Sequence, residues 1–379
     1  MSENAPLRVL QLTSSSAGGV ARHARQVSEL LSRAPRRVGT VVRAEDDGGA
    51  QVVLAGPPDV VAGATVPSTV IDIADRPRPS DVSAVRRLRR LARGADVVHA
   101  HGLRAGAAAV LALRTLRRRP ALVVTLHNAP VGGRRVHAVA AVLERTVARG
   151  ADVVLGVSGD LVASARELGA TDTERALVPA PARAAATTPD VATLLALGLG
   201  QGERLVLTVG RLAPQKGLDL LCEAAALLPG RVDGVVRWVV VGDGPLHDEL
   251  ERRVRAEGLP VHLAGRREDV ANLMAHADVV VSTSTWEGQP LAVQEALAAG
   301  AAVVATDVGG TGEVTGDAAV LVPPDATALA DAVARVLGSD DVRDGLRARA
   351  RERAGELPGP QDVLDQLRAV YDRALTHRC

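Results

Sequence analysis

The 379-residue chain carries 45 basic and 44 acidic side chains, for a formal net charge of +1, and it has no phenylalanine. This near-neutral charge gives no electrostatic case for nucleic-acid binding, and one tyrosine with two tryptophans nearly excludes stacking on bases. With 47% hydrophobic and 23% charged residues the composition predicts a soluble globular protein, and the length predicts two to three domains.

The first residues, MSENAPLRVLQL, place an acidic residue where a signal peptide has cations, and no run of about 18 apolar residues occurs. Cys222 and Cys379 lie far apart and fit neither a metal spacing nor a disulfide framework. We therefore expect a cytoplasmic protein without a membrane span.

Short β-branched runs alternate with amphipathic Ala/Leu/Arg stretches along the chain. The runs predict strands at Leu7–Leu12, Val97–His101, Leu122–His127, Val153–Val157, Leu205–Val209, Val235–Val241, Val279–Ser282 and Ala302–Thr306. Continuous apolar strands separated by helices are typical of parallel sheets covered on both faces. The pattern predicts an α/β protein.

The stretch PAPARAAATTPD (179–190) interrupts this alternation, which resumes after it. It indicates a linker between two doubly wound domains. The predicted parts are an N-terminal domain over 1–180, a linker over 181–202, a C-terminal domain over 203–358 and a final helix within 359–379. This helix is free to pack back on either domain, the N-terminal one included.

Ligands of open α/β sheets bind beyond the carboxyl ends of the strands, so the residues after each strand are the site candidates. SSSAGGV (14–20) joins the first strand to a helix, where Gly18 and Gly19 would let backbone N–H groups approach an anion. The segment lacks the Gly-x-Gly-x-x-Gly pattern of dinucleotide-binding turns. A plain tight turn is an equal alternative.

GRLAPQKG (210–217) contains the only lysine of the chain. The segment resembles a phosphate-binding loop, but Gln215 replaces its second glycine and Gly217 replaces the hydroxyl residue that holds magnesium, which disfavours a nucleoside triphosphatase. Arg211 and Lys216 still suit a diphosphate. Two solvated loop cations are the alternative, but a single lysine kept among so many arginines favours a function. In GDGP (242–245), a structural turn is the better interpretation of the glycines.

WEGQPLAVQEAL (286–297) holds two carboxylates, Glu287 and Glu295, with no lysine near them in sequence. If Gln289–Leu291 opens a helix, its free N–H groups form an anion site, and Glu295 lies one turn inside. At that position Glu295 is near enough to bind sugar hydroxyls. Surface glutamates on an alanine-rich helix are the alternative.

His101 in HAHG and His127 in TLHN end neighbouring predicted strands in the half opposite the cationic loop. A lone histidine at a strand end is more often structural, but a pair favours function. Asn128 and Ser158 also follow strands and are candidate acceptor or sugar contacts.

Two arginine-rich stretches, 86–93 and 114–119, lie in the N-terminal half. The first is backed by an apolar stripe of Val82, Val85, Leu88 and Leu91. A solvated helix face is the favoured interpretation. Peripheral contact with the inner face of a membrane, or with a lipid-linked acceptor, is the alternative.

Together these stretches resemble the bacterial family-4 retaining glycosyltransferases of GT-B fold over essentially the whole chain. The resemblance is carried by AGGV, HAHG, TLHN, GRLAPQKG, GDGP, HLAGRREDV and EGQPLAVQEALAAGAAVVATDVGG. It implies two Rossmann-like domains with the active site in the cleft between them.

The resemblance also implies roles for individual residues. Arg211 and Lys216 would hold the donor diphosphate with the backbone of Gly288, Gln289, Pro290 and Leu291, while Glu295 binds the ribose and Gly265 and Arg266 edge the base. Gly18 and Gly19 would close over the diphosphate. His101 would lie at the reacting carbon, and Glu287 would face the transferred sugar.

The expected reaction moves a sugar from a UDP- or GDP-sugar to an acceptor with retention of configuration, without a metal or other cofactor. The acceptor would be a cell-envelope glycan, a lipid-linked glycan or a small molecule. Gln289 and Pro290 replace the family's Phe-Gly, which predicts a different donor-sugar pocket. A GT-B sugar-nucleotide epimerase and a catalytically silent donor-binding subunit are the alternatives.

Overall fold

The computed structural model describes residues 6–14, 18–33, 49–73, 78, 80–130, 133–179, 191–200 and 202–377. The chain divides into two compact units. The first consists of Met1–Pro179 with Pro358–Cys379, and the second of Ala180–Leu357. Each unit is built on one parallel sheet with helices, which confirms the predicted α/β class.

Strands and helices alternate along both units. The strands are β1 Arg8–Thr13, β2 Gln51–Gly56, β3 Ser68–Val70, β4 Val97–His101, β5 Ala121–Leu126, β6 Val153–Gly156, β7 Thr173–Arg175, β8 Arg204–Val209, β9 Val236–Val241, β10 Val261–Gly265, β11 Val279–Ser282, β12 Val303–Thr306 and β13 Val320–Val322. The helices are α1 Gly19–Arg33, α2 Pro58–Val61, α3 Asp81–Ala92, α4 Leu103–Leu113, α5 Arg134–Gly150, α6 Gly159–Glu167, α7 Val191–Ala196, α8 Leu218–Leu227, α9 His247–Glu257, α10 Val270–His276, α11 Leu291–Ala298, α12 Thr311–Thr315, α13 Ala326–Leu337, α14 Asp340–Glu356 and α15 Pro360–Thr376.

The seven strands of the first sheet run in the order β3-β2-β1-β4-β5-β6-β7. Every residue of β4 and β5 is buried, as expected for central strands covered by helices on both faces. α15 returns to this unit and contacts β5 and α1, burying Tyr371 among other side chains. Because β1, β4 and β5 are consecutive parallel strands of this sheet, their carboxyl ends lie side by side.

The second sheet has six strands in the order β10-β9-β8-β11-β12-β13. β9 contains the fully buried Trp238, whose indole N–H donates to Thr208 Oγ1 at 3.0 Å. β8 and β11 are neighbours, with Val206 opposite Val279. This pairing brings the loop after β8 next to the loop after β11.

All eight predicted strands are present, with each end within one residue of its prediction. The predictions omitted β2 and four further strands: β3, β7, β10 and β13. Those four are the outer strands of the two sheets. Three of them have only three residues, so they lack the continuous apolar run that marks a central strand.

The stripe predicted on the first arginine-rich helix is confirmed only in part, because Leu88 is buried and Val85 and Leu91 are partly buried, but Val82 is not. α3 buries Ala84, Leu88 and Ala92, spaced at i, i+4 and i+8, whereas Val82 is 56% exposed. The small alanines allow close packing with α4, which α3 contacts. The second arginine-rich stretch follows the end of α4 at Leu113.

Residues 180–190 and 201 lie outside the described part of the chain. In the rest of the predicted linker, residues 191–196 form α7, and Leu197 and Leu199 are buried in the core of the second unit. Among the residues that the structure describes, no helix combines the length and the apolar character needed to cross a membrane.

Candidate functional site

Three glycines stand at the carboxyl ends of neighbouring strands of the second sheet. Gly210 follows β8, Gly242 follows β9 and Gly265 ends β10. Gly242 N donates to Gly265 O at 2.8 Å, and a Cβ on Gly242 would lie 1.8 Å from Gly210 O. Only glycine allows this approach, which lets the loops after β8, β9 and β10 share one edge of the sheet.

The loop after β8 presents Lys216 at the end of a 3₁₀ turn over Pro214–Lys216. Gly217 follows with φ +59°, and a Cβ there would lie 2.0 Å from Thr283 O. Thr283 Oγ1 donates to Lys216 O at 2.7 Å, and Thr285 N donates to Gln215 O at 2.9 Å. Thr283 and Thr285, which follow β11, therefore hold the carbonyl groups of Lys216 and Gln215.

The Lys216 ammonium donates to Glu287 Oε1 at 2.5 Å. The same oxygen accepts a hydrogen bond from Ser284 Oγ at 2.6 Å. Glu287 is only 6% exposed, whereas about a quarter of the lysine side chain remains accessible. Glu287 has no lysine near it in sequence, and the fold supplies Lys216 from 71 residues away.

Two arginines at this edge remain accessible. Arg211 and Arg266 are both exposed, and neither forms an ion pair within the described residues. Arg211 shares the loop of Lys216 after β8, and Arg266 directly follows Gly265 at the end of β10. Their guanidinium groups are available to an anion.

The segment after Glu287 leads into α11. Gly288 and Pro290 are buried, and the helix begins at Leu291, as predicted. The Gln289 side chain accepts a hydrogen bond from Gln294 Nε2 at 3.0 Å, so its amide oxygen is already engaged. Glu295 lies one turn inside the helix and is half-buried.

A small pocket lies between these loops. Its lining includes Gly210, Arg211, Lys216, Ser284, Glu287 and Pro290. Two cations, hydroxyl groups and the N-terminus of α11 border a space that also holds one carboxylate. This combination suits a ligand that carries both phosphate and hydroxyl groups.

The first unit holds a cluster of buried histidines. His101 ends β4 and His127 directly follows β5, and His101 Nδ1 lies 3.3 Å from His127 Nε2. His23 of α1 packs edge-on against both rings, and His99 stacks on His101. His101 has no exposed surface, whereas His127 is partly exposed.

A chain of hydrogen bonds orients the His101 ring. Gln11 Nε2 donates to the Tyr371 hydroxyl at 3.0 Å, so the Gln11 carbonyl oxygen faces His101 Nε2 at 2.8 Å and must accept its proton. Tyr371 in turn contacts His99 Nδ1 at 2.8 Å. His101 therefore carries its proton on Nε2 and presents a lone pair on Nδ1 towards His127.

The pKa values of all four histidines are lowered. Burial lowers the pKa of His23 to about 4 and, with the nearby His23, that of His99 to about 3. Burial and the neighbouring imidazoles hold the pKa of His101 and of His127 well below the usual value. The cluster is therefore neutral at pH 7.

The remaining candidates of the first unit separate by exposure. Gly18, with φ +79°, and Gly19 are exposed at the start of α1, while Ser15–Ala17 lie outside the described residues. Asn128 is exposed beside His127. Ser158 is fully buried, and its hydroxyl donates a hydrogen bond to Asp160 at the start of α6. The Ser158 hydroxyl proton is therefore already engaged.

The sequence interpretation missed His23, Gln11 and Tyr371. Each had a signal: Gln11 is polar within the apolar run of β1, and Tyr371 is the only tyrosine of the chain. His23 lies among the apolar positions of the amphipathic α1, and it is buried. Polar residues at buried positions of a regular pattern are the signal that could have found them.

Comparison with known proteins assigns both units. Residues 203–339 match the family described as glycosyl transferases group 1, and residues 18–181 match the glycosyl transferase 4-like domain. D-inositol 3-phosphate glycosyltransferase of Jonesia denitrificans is 33% identical over 306 residues, covering 73% of this chain and 72% of that protein. Alpha-D-kanosaminyltransferase of Streptomyces kanamyceticus is 34% identical over 44% of this chain, and the match spans only 45% of that relative.

Solved structures share the fold at lower identity. Sucrose-phosphate synthase from Thermosynechococcus elongatus has a TM-score of 0.77 at 22% identity, covering 98% of this chain and all of that one. Anabaena HepE in complex with UDP-glucose has a TM-score of 0.77 at 21% identity, covering 97% of this chain and 99% of that one.

Proposed function

We infer that this chain, which belongs to the group 1 glycosyl transferases and has the GT-B fold, moves a sugar from a nucleoside-diphosphate sugar to an acceptor with retention of configuration. The observation that carries the proposal is the Lys216–Glu287 pair beside the exposed Arg211 at one pocket. A nucleoside-diphosphate sugar has a diphosphate for the cations and hydroxyls for the carboxylate.

The second unit supplies the donor contacts in this proposal. Arg211 and Lys216 bind the diphosphate with the backbone at the start of α11, and Glu295 binds the ribose. Glu287 Oε1 takes the hydrogen bonds of Lys216 and Ser284, so Oε2 is the oxygen that accepts from a sugar hydroxyl. Gly265 and Arg266 contact the edge of the nucleobase.

Charge develops on the diphosphate as the glycosidic bond breaks. Arg211, Lys216 and the N-terminus of α11 provide fixed positive charge for this leaving group, the work that Mg²⁺ does in other transferases. The departing phosphate oxygen accepts the acceptor proton on the same face, which retains the anomeric configuration. We therefore propose that the reaction needs no metal and that activity survives EDTA.

The histidines of the first unit act on the sugar in this proposal. His101 stabilises charge at the reacting carbon, and Gly18 and Gly19 approach the diphosphate. Because His101 is fully buried behind the partly exposed His127, its contact with the sugar requires the His127 ring to move aside. Asn128 is the exposed neighbour for an acceptor hydroxyl, and the buried Ser158 supports the loop.

A small polar acceptor is the first to test. The match to the D-inositol 3-phosphate enzyme is longer than the whole second unit, so it extends into the first unit, to which we assign the acceptor. A cyclitol phosphate is the corresponding chemistry. Lipid-linked and cell-envelope acceptors form the second arm of the acceptor test. With such an acceptor, the protein would be cytoplasmic and would contact the membrane surface through the arginines of α3.

The experiment begins with a thermal-shift panel of UDP-, GDP- and ADP-sugars, because a ligand of the native state raises its melting temperature. UDP-glucose is the first donor to test, since HepE was solved with it. The selected donor is then incubated alone, with inositol phosphate, and with lipid extract, and the product anomer is read by NMR. Release of free epimerised sugar without acceptor would indicate an epimerase, binding without turnover a silent subunit, and an inverted product a different mechanism.

A further inference from the structure

Three imidazoles of the first unit meet at one point. His23 comes from α1, His101 from the end of β4 and His127 from the loop after β5, and one nitrogen of each lies within 4.8 Å of the others. A metal ion held by three histidines needs ligand atoms that converge in this way.

His23 makes the cluster unusual. Both of its ring nitrogens are buried, and neither has a hydrogen-bond partner among the residues that the structure describes. A buried polar group without a partner costs about 1–3 kcal/mol, so such groups are rare in native proteins. The ring faces His101 and His127, where a bound ion would satisfy one nitrogen.

The other two ligands are already oriented. His101 donates its Nε2 proton to Gln11, which leaves the Nδ1 lone pair directed at His127. Metal-bound histidines characteristically donate their second ring N–H to an oxygen in this manner. The 3.3 Å between His101 Nδ1 and His127 Nε2 equals the separation of about 3.3 Å between two ligands of a tetrahedral ion at about 2.05 Å.

We propose that His23, His101 and His127 bind one divalent first-row transition-metal ion of the Zn²⁺ type. Three neutral imidazoles supply the ligands, and the fourth position opens towards the partly exposed His127. On binding, His127 carries its proton on Nδ1 instead of Nε2, so no net proton is released. This ion is separate from donor binding, which we assign to Arg211 and Lys216.

Occupancy has a consequence that rests on the proposed function. The ion uses the Nδ1 lone pair of His101 and holds the His127 ring in place over it. Because the proposed contact of His101 with the sugar requires His127 to move, the metal-loaded protein transfers sugar more slowly. EDTA should restore the rate.

Binding is tested without reference to activity. Tag-free protein is titrated with Co²⁺, followed by its visible absorption, and with Zn²⁺ in a calorimeter. The proposal expects one ion per chain and a tetrahedral cobalt spectrum. His23→Leu and His127→Gln should each weaken binding about 100-fold, whereas His137→Gln, an exposed histidine of α5, should change nothing.

Circular dichroism confirms that each variant is folded. A wild-type protein that binds no ion, or both ligand variants binding as tightly as wild type, would overturn the site. Inhibition by Zn²⁺ should disappear in His23→Leu, and unchanged inhibition there would overturn the regulatory part. If no donor and acceptor give transfer, the proposed function fails while the cobalt result still decides the site.

Discussion

Lys216 Nζ and Glu287 Oε1 lie 2.5 Å apart although 71 residues separate them in the chain. The adjacency of β8 and β11 makes this contact, because it places the loops after the two strands side by side. Glu287 is buried, and Lys216 and Ser284 are the hydrogen-bond donors to its Oε1. The only ammonium of the chain thus serves the carboxylate before any donor binds.

Lys216→Ala should weaken binding of the nucleoside diphosphate by about 10- to 100-fold, because one charge-assisted contact contributes about 1.5–3 kcal/mol. Lys216→Arg should restore only part of the diphosphate affinity, because a planar guanidinium group does not replace a compact ammonium group. Calorimetry with the diphosphate chosen by the thermal-shift panel measures this, with Arg255→Ala, a largely exposed arginine, as the control.

The alanine variant also leaves the Glu287 carboxylate with a single partner. The double variant Lys216→Ala/Glu287→Gln removes that stranded charge, so it should regain stability without regaining diphosphate affinity. Full affinity in the single alanine variant would refute the role of the lysine.

Glu287→Ala and His101→Ala should lower kcat more than they raise the donor dissociation constant. Both contacts are proposed to strengthen as the glycosidic bond breaks, and contacts of that kind contribute to turnover. Steady-state kinetics with separately measured donor binding tests this. Unchanged turnover in both variants would remove these residues from the active site.

Gly217→Ala and Gly258→Ala form a matched pair. Both glycines have φ near +60°, but a Cβ on Gly217 would lie 2.0 Å from Thr283 O, whereas nothing lies within 4 Å at Gly258. Gly258→Ala should cost about 1 kcal/mol of unfolding free energy from backbone strain alone. Gly217→Ala should cost more and also weaken diphosphate binding, as tryptophan fluorescence of the second unit and calorimetry would show. Equal effects would mean that the loop shifts freely.

Tyr371→Phe should destabilise the first unit by about 1–3 kcal/mol, because it leaves Gln11 and His99 without their buried partner. Hydrogen exchange of peptides covering β1 and β4 should accelerate. Exchange in β8 and β11 of the second unit provides the internal control, and no change in either unit would show that the hydrogen-bond chain is dispensable.

The first unit should lose stability in mild acid. The pKa of His23 is lowered to about 4 and that of His99 to about 3, so below about pH 6.5 the unfolded chain binds protons that the native state does not. Above about pH 6.5 the free energy of unfolding does not depend on these protons. Below that pH it falls by roughly 1.4 kcal/mol per pH unit for each histidine, until the pH reaches the lowered pKa. Urea unfolding in the presence of EDTA, monitored by hydrogen exchange in the first unit, measures how the free energy of unfolding changes with pH.

His23→Leu should reduce that slope by the share of one histidine, while the exposed His137→Gln should leave it unchanged. A stability of the first unit that is independent of pH between about 7 and 5 would contradict the neutral, buried state of the cluster.

The sequence by itself determined the α/β class, the central strands and the positions of the loops that border the site. Central strands such as β4 and β5 are buried on both faces, so their composition is continuously apolar and easily read. The loop containing Lys216 and the helix start at Leu291 follow such strands, and glycine or proline marks both.

Tertiary structure decided which polar groups meet. The pairing of Lys216 with Glu287 depends on strand order, and β11 is not the next strand after β8 in the chain. The orientation of His101 depends on Gln11 and on Tyr371 of the C-terminal helix, which lies 360 positions after Gln11 in the chain. Local patterns report burial and periodicity, whereas contacts of this kind arise only when the sheet assembles and distant segments share one edge.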